Sequence, residues 1–389
     1  MSLMNRQKKR EEKIPSPSAP RPLLLRAGNV TPPTRTPWGG TKLSRRTEAI
    51  PGAGPAGGGA GEEAIPRKVG ESWEISVEPD FPSVLEEGGS LEAALMSEPA
   101  AWLGPEAAAR GGTALLVKLL DAAEALSVQI HPSDTYAGLE AGESGKPESW
   151  YVIEADPGAG LYLGLEEGVT REALEGALAA GEDISEMLHF VPAEVGDFFL
   201  IEAGTVHAIG PGMTLVEPQR VLPGKRGVTY RYWDWNRRYD AQGREDPAGS
   251  PRPLHVRQAL EVTRWEAPRA EALLSRIRLR LGPAPRDAGA RIEGLCGPEI
   301  GVRSAHLRVH RLTGSGALSL PRPLGLQGLV VLEGTVRLPH PEGEVRVEAG
   351  RSAALPGGGR GASALLEAAH ALLCETPASP PRVPSPEPR

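Results

Sequence analysis

The protein has 389 residues, enough for two domains or for one large domain with a sizeable core. Its net charge of −7 argues against nucleic acid as a partner, since no general basic field is present. Two cysteines are too few for a disulfide framework, and no apolar run approaches the ~20 residues that span a membrane. The charged N-terminus also lacks the apolar stretch of a secretory signal, so we expect a cytoplasmic protein.

Three segments have compositions that predict no packed structure. Residues 1–20 are polar, charged and proline-rich, and are predicted to form a disordered tail. The glycine-rich stretch 51–61 is predicted to be a flexible loop, and residues 376–389 a second disordered tail. Every aromatic residue lies between Trp38 and Trp265. Because aromatic side chains supply large ligand-facing surfaces, we expect the functional site in the first two-thirds of the chain.

Between these segments, strands alternate with a few predicted helices. Four stretches have helical composition and leucine spacing: residues 91–96, 105–110, 171–180 and 184–188. Thr170 is the predicted N-cap of the third. Apolar residues alternate with arginine or histidine over 276–281 and 305–310, which predicts half-buried antiparallel strands. His306 and His310 then belong to a solvent-facing strand surface.

Four potential metal ligands occur in order along the chain. Gln129 and His131 are two residues apart in a predicted strand, so their side chains project from the same face. Glu148 and His207 follow downstream. Two imidazoles, one carboxylate and one amide oxygen suit a zinc-like divalent ion and leave positions open for water or substrate. The set predicts a metal centre that retains Lewis-acid charge.

His207 also ends a pattern of spaced glycines. The pattern contains, in order, Gly196, five residues, Glu202, Ala203, Gly204, two residues and His207. It resembles the second motif of the cupins, in which a tight turn between two barrel strands presents a histidine to the interior. Glu202 replaces the usual proline. A similar spacing from Gly350 to Gly361 predicts a second cupin-type barrel, with Gly361 in the place of His207.

Longer stretches extend the likeness to a family. LSVQIHP, KPESWY, PAEVGDFFLIEAGTVHAIG and TYRYWDWNR resemble type I mannose-6-phosphate isomerase (phosphomannose isomerase) of the bacterial short form, in the cupin superfamily. The resemblance implies a mainly β fold of two cupin-type (jelly-roll) β-barrels with helical insertions. It implies a catalytic domain over residues 21–260 and a C-terminal cupin-like domain without metal ligands over residues 261–375.

The resemblance also implies a reaction, a cofactor and a set of site residues. One Zn²⁺ ion per chain would be bound by Gln129, His131, Glu148 and His207. The reaction would interconvert D-mannose 6-phosphate and D-fructose 6-phosphate through an enediol. The matching catalytic residues are Arg231, Lys146 and Glu217. The matching substrate-binding residues are Lys118, Glu71 and Trp38.

Physical chemistry supports parts of this assignment. A guanidinium does not lose its proton at neutral pH, so Arg231 would stabilise charge or hold substrate. Glu217 is the candidate acid/base group, and a salt bridge to Arg231 or Lys225 is its structural alternative. Lys118 lies within an apolar strand, where a lysine must pair, reach solvent or line a cavity. The basic connection 220–227 is longer than in the family and is either part of a phosphate pocket or a plain loop.

Two other functions fit part of the pattern. A non-catalytic cupin that senses sugar phosphates would bind the same ligand, but it would need neither the complete metal set nor Arg231. An iron-dependent cupin oxygenase would use histidine-rich ligation, and Gln129 argues against it. We therefore expect a zinc-dependent isomerase that acts on a small hexose phosphate, as a monomer or weak homodimer, with no nucleic-acid or membrane partner.

Overall fold

A computed structural model of the protein describes residues 19–48, 68–285, 288–359 and 361–377. The predicted loop at 51–61 and nearly all of the two predicted tails lie outside these residues. The described chain is mainly β and confirms the predicted fold class. None of its helices combines the length and the apolar character that crossing a membrane requires.

The strands are, in chain order, β1 (Leu23–Leu24), β2 (Glu71–Ile75), β3 (Leu115–Ala122), β4 (Val128–Ile130), β5 (Glu143–Ser144), β6 (Glu148–Ala155), β7 (Gly160–Leu165), β8 (Leu188–Pro192), β9 (Asp197–Ile201), β10 (His207–Ile209), β11 (Met213–Arg220), β12 (Arg226–Gly227), β13 (Tyr230–Trp233), β14 (Arg278–Arg280), β15 (Arg291–Gly297), β16 (Val302–Arg303), β17 (Arg308–Ser319), β18 (Gln327–Leu338), β19 (Val345–Glu348), β20 (Ser352–Leu355) and β21 (Ser363–Glu375). The α-helices are α1 (Lys42–Glu48), α2 (Leu91–Ser97), α3 (Pro99–Leu103), α4 (Pro105–Ala109), α5 (Arg171–Ala180), α6 (Val256–Val262) and α7 (Ala270–Ile277). One 3-10 helix spans Ser185–Met187.

Two antiparallel sheets form the first barrel. The five-stranded sheet has the order β13-β4-β10-β7-β8, and the six-stranded sheet has the order β14-β9-β6-β11-β3-β2. One face of the five-stranded sheet carries Val128 and Ile130, which pack with Leu174 of α5 and Ala259 of α6 in one hydrophobic cluster. Because strand residues alternate between faces, Gln129 points away from these helices and toward the six-stranded sheet.

An eight-stranded sheet forms the second barrel. Its order is β1-β20-β18-β21-β17-β15-β16, with β19 paired to β18. Leu295 and Val309 of this sheet share one hydrophobic cluster with Trp150 and Phe199 of the six-stranded sheet. The two barrels therefore pack face to face through a common core. The domain boundary near residue 260 stays a prediction, since β14 joins the first barrel and β1 joins the second.

The four predicted helices correspond to α2, α4, α5 and the 3-10 helix. The Thr170 hydroxyl accepts a hydrogen bond from the Ala173 amide at 3.2 Å, which confirms the predicted N-cap. Helices α1, α3, α6 and α7 were not predicted. The alternating stretch 276–281 is only partly a strand, because α7 continues through Ile277.

The expectation of a half-buried strand with His310 facing solvent was wrong. The first half of β17 is buried on both faces, and His310 is 7% exposed. Val309 belongs to the core shared with the first barrel, whereas Leu312 belongs to the core of the second. A strand that packs on both sides needs no solvent-facing residues, even where its sequence alternates.

A chain of polar contacts crosses the interface between the barrels. Arg311 of β17 donates to the Tyr151 hydroxyl at 3.3 Å, and Tyr151 lies 2.9 Å from His370 Nε2 on β21. Because Arg311 donates to the tyrosine oxygen, the tyrosine O–H is free to donate to Nε2 in the tautomer of neutral His370 that carries its hydrogen on Nδ1. Burial, assisted by the charge of Arg311, lowers the pKa of His370 to about 4.

This arrangement predicts a pH-dependent stability. Below pH 6.5 the unfolded chain binds a proton at His370 that the folded chain rejects, so stability falls as pH drops toward 4. For this one group the loss is about 2 kcal/mol between pH 7 and pH 5. His370→Gln keeps an acceptor for Tyr151 without titrating. In urea unfolding at several pH values, the free energy of unfolding should fall less with decreasing pH for this variant than for the wild type.

The matched control is His340→Gln in the loop after β18, where the imidazole Nε2 lies 2.9 Å from the Ala19 carbonyl oxygen. The free energy of unfolding of this control should fall with decreasing pH as that of the wild type does. The prediction would be contradicted if the free energy of unfolding had the same pH dependence in His370→Gln as in the wild type.

Candidate metal centre and cleft

The two sheets of the first barrel place three metal-binding side chains together. His131 directly follows β4 and His207 begins β10, both in the five-stranded sheet, whereas Glu148 begins β6 in the opposite sheet. All three are buried, and their ligand atoms lie within 4.8 Å of one another. Between β9 and β10, Gly204 has a φ of +81°, the conformation that the tight turn before His207 requires.

Hydrogen bonds set which nitrogen of each imidazole faces the cluster. His131 Nδ1 lies 3.0 Å from the Val228 carbonyl oxygen, and His207 Nδ1 lies 2.8 Å from that of Thr205. A carbonyl can only accept, so each Nδ1 carries the proton and each Nε2 presents a lone pair. The Nε2 atoms lie 3.1 Å and 3.4 Å from the Glu148 carboxylate oxygens.

Both atoms of each of these close pairs, an imidazole Nε2 and a carboxylate oxygen, are hydrogen-bond acceptors. His131 Nε2, His207 Nε2 and Glu148 Oε1 have no hydrogen-bond partner among the described residues, although all three are buried. Unpaired buried acceptors that converge on one point are costly unless a cation lies between them. The site therefore fits a metal ion, and His131, Glu148 and His207 could hold it.

Gln129 is placed as the sequence predicts, although its role as a ligand stays a prediction. It pairs in register with His207 on one side and with Arg231 on the other. It also lines a cleft of about 240 Å³ that opens beside the cluster. Six other predicted site residues line the same cleft: Trp38, Glu71, Lys118, Lys146, Glu217 and Arg231.

One row of side chains crosses the six-stranded sheet along the cleft floor. Lys118 of β3 is in register with Glu217 of β11 on one side and with Trp73 of β2 on the other. Its ammonium lies 4.1 Å from the Trp73 ring centre and 3.9 Å from Glu71. Trp150 donates to Glu217 at 3.0 Å. The buried lysine therefore pairs with Glu71 and also lines the cleft, which are two of the three outcomes that its apolar strand allows.

Gln219 connects the metal cluster to this row, and the motif analysis did not identify it. Its amide nitrogen donates to Glu148 Oε2 at 3.1 Å and also to Glu217 Oε2. Its position two residues after Glu217 on β11 was the available signal, because i and i+2 share a face. Glu217 forms no salt bridge to Arg231 or Lys225 within the described residues.

Two buried groups beside the cluster have shifted pKa values. Burial and the charge of Glu148 raise the pKa of Glu217 to about 8. Burial alone would lower the pKa of Lys146, but the carboxylates of Glu148 and Glu217 outweigh it, so this pKa is raised. The Lys146 ammonium lies 2.8 Å from Glu148 Oε2. The cleft therefore holds a firmly charged lysine beside a carboxyl group suited to proton transfer near neutral pH.

Arg231 lies on β13 with its side chain along the cleft. Burial and the neighbouring Arg252 lower the pKa of Arg231 to about 10, which still leaves it charged at neutral pH. Within the described residues it has no carboxylate at ion-pair distance, and its buried Nε has no hydrogen-bond partner. An uncompensated guanidinium in a cleft is suited to bind an anion.

The basic connection after β11 has a divided role. Arg226 and Gly227 line the cleft, whereas Arg220 forms an ion pair with Asp134. Arg35 and Arg252 also reach the cleft and were not predicted. Altogether six cationic and four acidic side chains line it, which favours an anionic ligand.

Comparison with known sequences matches this part of the chain to one family. Residues 38–149 match the family model described as phosphomannose isomerase type I, catalytic domain. The mannose-6-phosphate isomerase of Streptococcus mutans is 36% identical over 228 residues, covering 58% of this chain and 63% of that protein. Mannose-6-phosphate isomerase ManA of Bacillus subtilis is 34% identical over 229 residues, covering 58% and 64%. The chain thus aligns to less than two-thirds of the length of these relatives.

Solved structures share the fold over a longer span. A mannose 6-phosphate isomerase structure from Bacillus subtilis has a TM-score of 0.67 at 24% identity and covers 91% of this chain and 99% of that one. A mutant phosphomannose isomerase from Salmonella typhimurium has a TM-score of 0.61 at 16% identity and covers 92% and 99%. At these identities the likeness describes the fold alone.

Fold and site together define a protein of two cupin-type barrels with a buried His–Glu–His cluster. Its residues 38–149 are similar to the catalytic domain of the type I phosphomannose isomerases.

The Gln219 contacts predict a specific effect on metal binding. Gln219→Leu removes the donor that orients Glu148, and such supporting hydrogen bonds typically change metal affinity by about 10- to 100-fold. We expect zinc to bind more weakly by this factor in a titration with a competing chelator.

The control is Gln327→Leu. Gln327 is equally buried and donates to the buried Glu375 at 3.3 Å in the second barrel. This substitution should leave zinc affinity unchanged. Equal affinities for Gln219→Leu and the wild type would show that Glu148 is oriented without Gln219.

Proposed function

We propose that the protein is a metal-dependent mannose-6-phosphate isomerase that interconverts D-mannose 6-phosphate and D-fructose 6-phosphate. The observation that carries this proposal is the convergence of unpaired buried ligands, from His131, Glu148 and His207, beside a cationic cleft lined by Arg231, Lys146 and Glu217. The relatives at 34–36% identity are named mannose-6-phosphate isomerase. A sensor that only bound sugar phosphates would need no such metal set.

The proposed metal is Zn²⁺, one ion per chain. Its ligands would be the Nε2 atoms of His131 and His207, the carboxylate of Glu148 and the amide oxygen of Gln129. Imidazole, carboxylate and amide donors suit zinc, and a site with few protein ligands keeps a position open. When bound, such an ion supplies a Lewis acid that polarises a sugar oxygen.

The aldose–ketose conversion moves one proton between C1 and C2 of the open-chain sugar and a second proton between O1 and O2, through an enediol. In our proposal the Glu217 carboxylate takes the proton from one carbon and returns it to the other. Trp150 and Gln219 donate to its two oxygens and hold it in place. A carboxyl group whose pKa is raised toward neutrality is a stronger base than an ordinary glutamate.

Charge that develops on O1 and O2 needs nearby cations. The Lys146 ammonium and the Arg231 guanidinium are proposed to supply it, because both are charged and line the cleft. Lys118 is proposed to bind substrate anionic groups, and Glu71 and Trp38 to contact the sugar. The excess of cations in the cleft matches a phosphorylated substrate.

The wider organisation is also a proposal. Residues 21–260 would form the catalytic domain, and residues 261–375 would form a supporting domain without a metal site. We propose that the protein works in the cytoplasm as a monomer or weak homodimer, with a hexose phosphate as its small-molecule partner.

The direct test is a coupled assay on mannose 6-phosphate that detects fructose 6-phosphate. We expect activity in the purified protein, loss of activity after chelation, and recovery when zinc returns. The metal content is measured in the same samples. A folded, zinc-loaded protein without turnover would refute the proposal and favour the sensor.

The second test is Arg231→Ala. Removing the guanidinium should lower kcat/KM by a factor of about 100 to 1,000, as loss of one charge-stabilising donor does, while bound zinc is retained. The control is Arg238→Ala, an exposed neighbour whose side chain donates a 2.7 Å hydrogen bond to the Gly249 carbonyl. Unchanged turnover in Arg231→Ala would remove Arg231 from the mechanism.

A further inference from the structure

The backbone of Arg231 is bonded at the open edge of a sheet. Strand β13 is the outermost strand of the five-stranded sheet, and among the described strands it pairs with β4 alone. An edge strand leaves alternate amide and carbonyl groups without a neighbouring strand. At Arg231 both groups are nevertheless bonded, because the segment 252–255 lies along this edge.

One residue of that segment satisfies both groups. The His255 amide donates to the Arg231 carbonyl at 2.8 Å, and the Arg231 amide donates to the His255 ring nitrogen Nδ1 at 3.2 Å. The adjacent Pro253 carbonyl accepts from the Arg231 guanidinium at 2.8 Å. His255 therefore makes the two hydrogen bonds to the Arg231 backbone that a neighbouring strand would make. Its imidazole is the acceptor in one of them.

A second anchor fixes the segment. Arg252 donates through Nε to Asp234, which directly follows β13, at 2.7 Å. Asp234 is 4% exposed and also forms an ion pair with Arg237 at 2.8 Å. The segment is therefore fastened to β13 at both Asp234 and Arg231. Within the described residues, the Arg231 side chain makes one hydrogen bond, to the Pro253 carbonyl, so its direction in the cleft depends on this docking.

We propose that His255 is a positioning residue that holds Arg231 in its working orientation through the lone pair of Nδ1. This inference rests on the proposed function, because it assigns His255 to the same reaction. His255 lies outside the cleft lining and outside the metal cluster, so it acts through Arg231.

The contact requires a neutral imidazole. A protonated ring carries hydrogen on Nδ1 and cannot accept from the Arg231 amide. The charged and titratable groups that face the ring are Arg231 and Tyr230 of β13, the latter with ring centres 6.0 Å apart. Burial and the charge of Arg231 lower the pKa of His255, so the contact persists below pH 6.5 and fails as pH falls through the lowered value.

Two substitutions at His255 distinguish the role of Nδ1 as a hydrogen-bond acceptor from the titration of the ring. The Oδ1 atom of asparagine can take the place of Nδ1 as an acceptor and does not titrate, whereas leucine provides no acceptor. We expect His255→Leu to lower kcat/KM by about tenfold at neutral pH with zinc content unchanged. We expect His255→Asn to restore kcat/KM to within about twofold of wild type and to weaken the decline of kcat/KM as pH falls below 6.5.

The matched control is His306→Asn. His306 is also half-buried with a pKa lowered by burial, but it lies before β17 on the second barrel. Its pH profile should equal that of the wild type. Wild-type kcat/KM in His255→Leu, or a wild-type acid decline in His255→Asn, would overturn the proposal. If the leucine variant does not fold, the asparagine profile alone decides.

Hydrogen exchange keeps this test independent of the proposed reaction. The Arg231 amide should be protected in the wild type and in His255→Asn, and should exchange about tenfold faster in His255→Leu. If the wild type does not isomerise mannose 6-phosphate, the proposed function fails, yet the exchange rates still report whether His255 holds Arg231. Equal protection in all three proteins would overturn the positioning role.

Discussion

The carboxylate of Glu148 is fully buried, and much of the first barrel is arranged around that charge. A buried carboxylate is strongly unfavourable unless cations and donors surround it. Lys146 and Gln219 approach one of its oxygens at 2.8 Å and 3.1 Å, and two imidazole lone pairs face it from the opposite sheet. Because lone pairs alone would repel the carboxylate, the two sheets meet stably here only around a positive charge. The same constraint brings the lysine and the glutamine to the cleft floor.

The need to balance the buried charge of Glu148 therefore links the candidate metal centre to the residues of the cleft. Gln219 donates to Glu148 and to Glu217 together, so the orientation of the ligand and that of the candidate base depend on one amide. The second barrel supports this arrangement from behind, since its strands share a hydrophobic core with the sheet that carries both carboxylates. In contrast, a loop segment bonds the backbone of Arg231 on the opposite sheet, where β13 has no outer neighbouring strand among the described residues.

Local rules predicted much of the site from the sequence. The i, i+2 rule placed Gln129 and His131 on one face, and the spaced glycines placed His207 after a tight turn. Contacts made across the fold had no such signal. His255 is 24 residues from Arg231, and nothing in the intervening loop indicates that its ring would bond that backbone. The burial of His310 was missed for a related reason, since alternation reports one packed face and cannot reveal that a second barrel covers the other. The contacts that the sequence did not predict are tertiary contacts between residues distant in the chain.

The pairing of β1 with β20 has a consequence for how the chain assembles. Leu23 and Leu24 pair with Ala354 and Ala353, more than 300 residues away, so the N-terminal strand belongs to the sheet that is completed last. During synthesis from the N-terminus, β1 cannot pair with β20 until β20 has left the ribosome, although the Glu86 amide can already donate to the Leu24 carbonyl. The segment that leads into the first barrel therefore lacks its pairing with β20 through most of translation. The two barrels cannot be separated by a single cut in the chain without leaving one of them short of a strand.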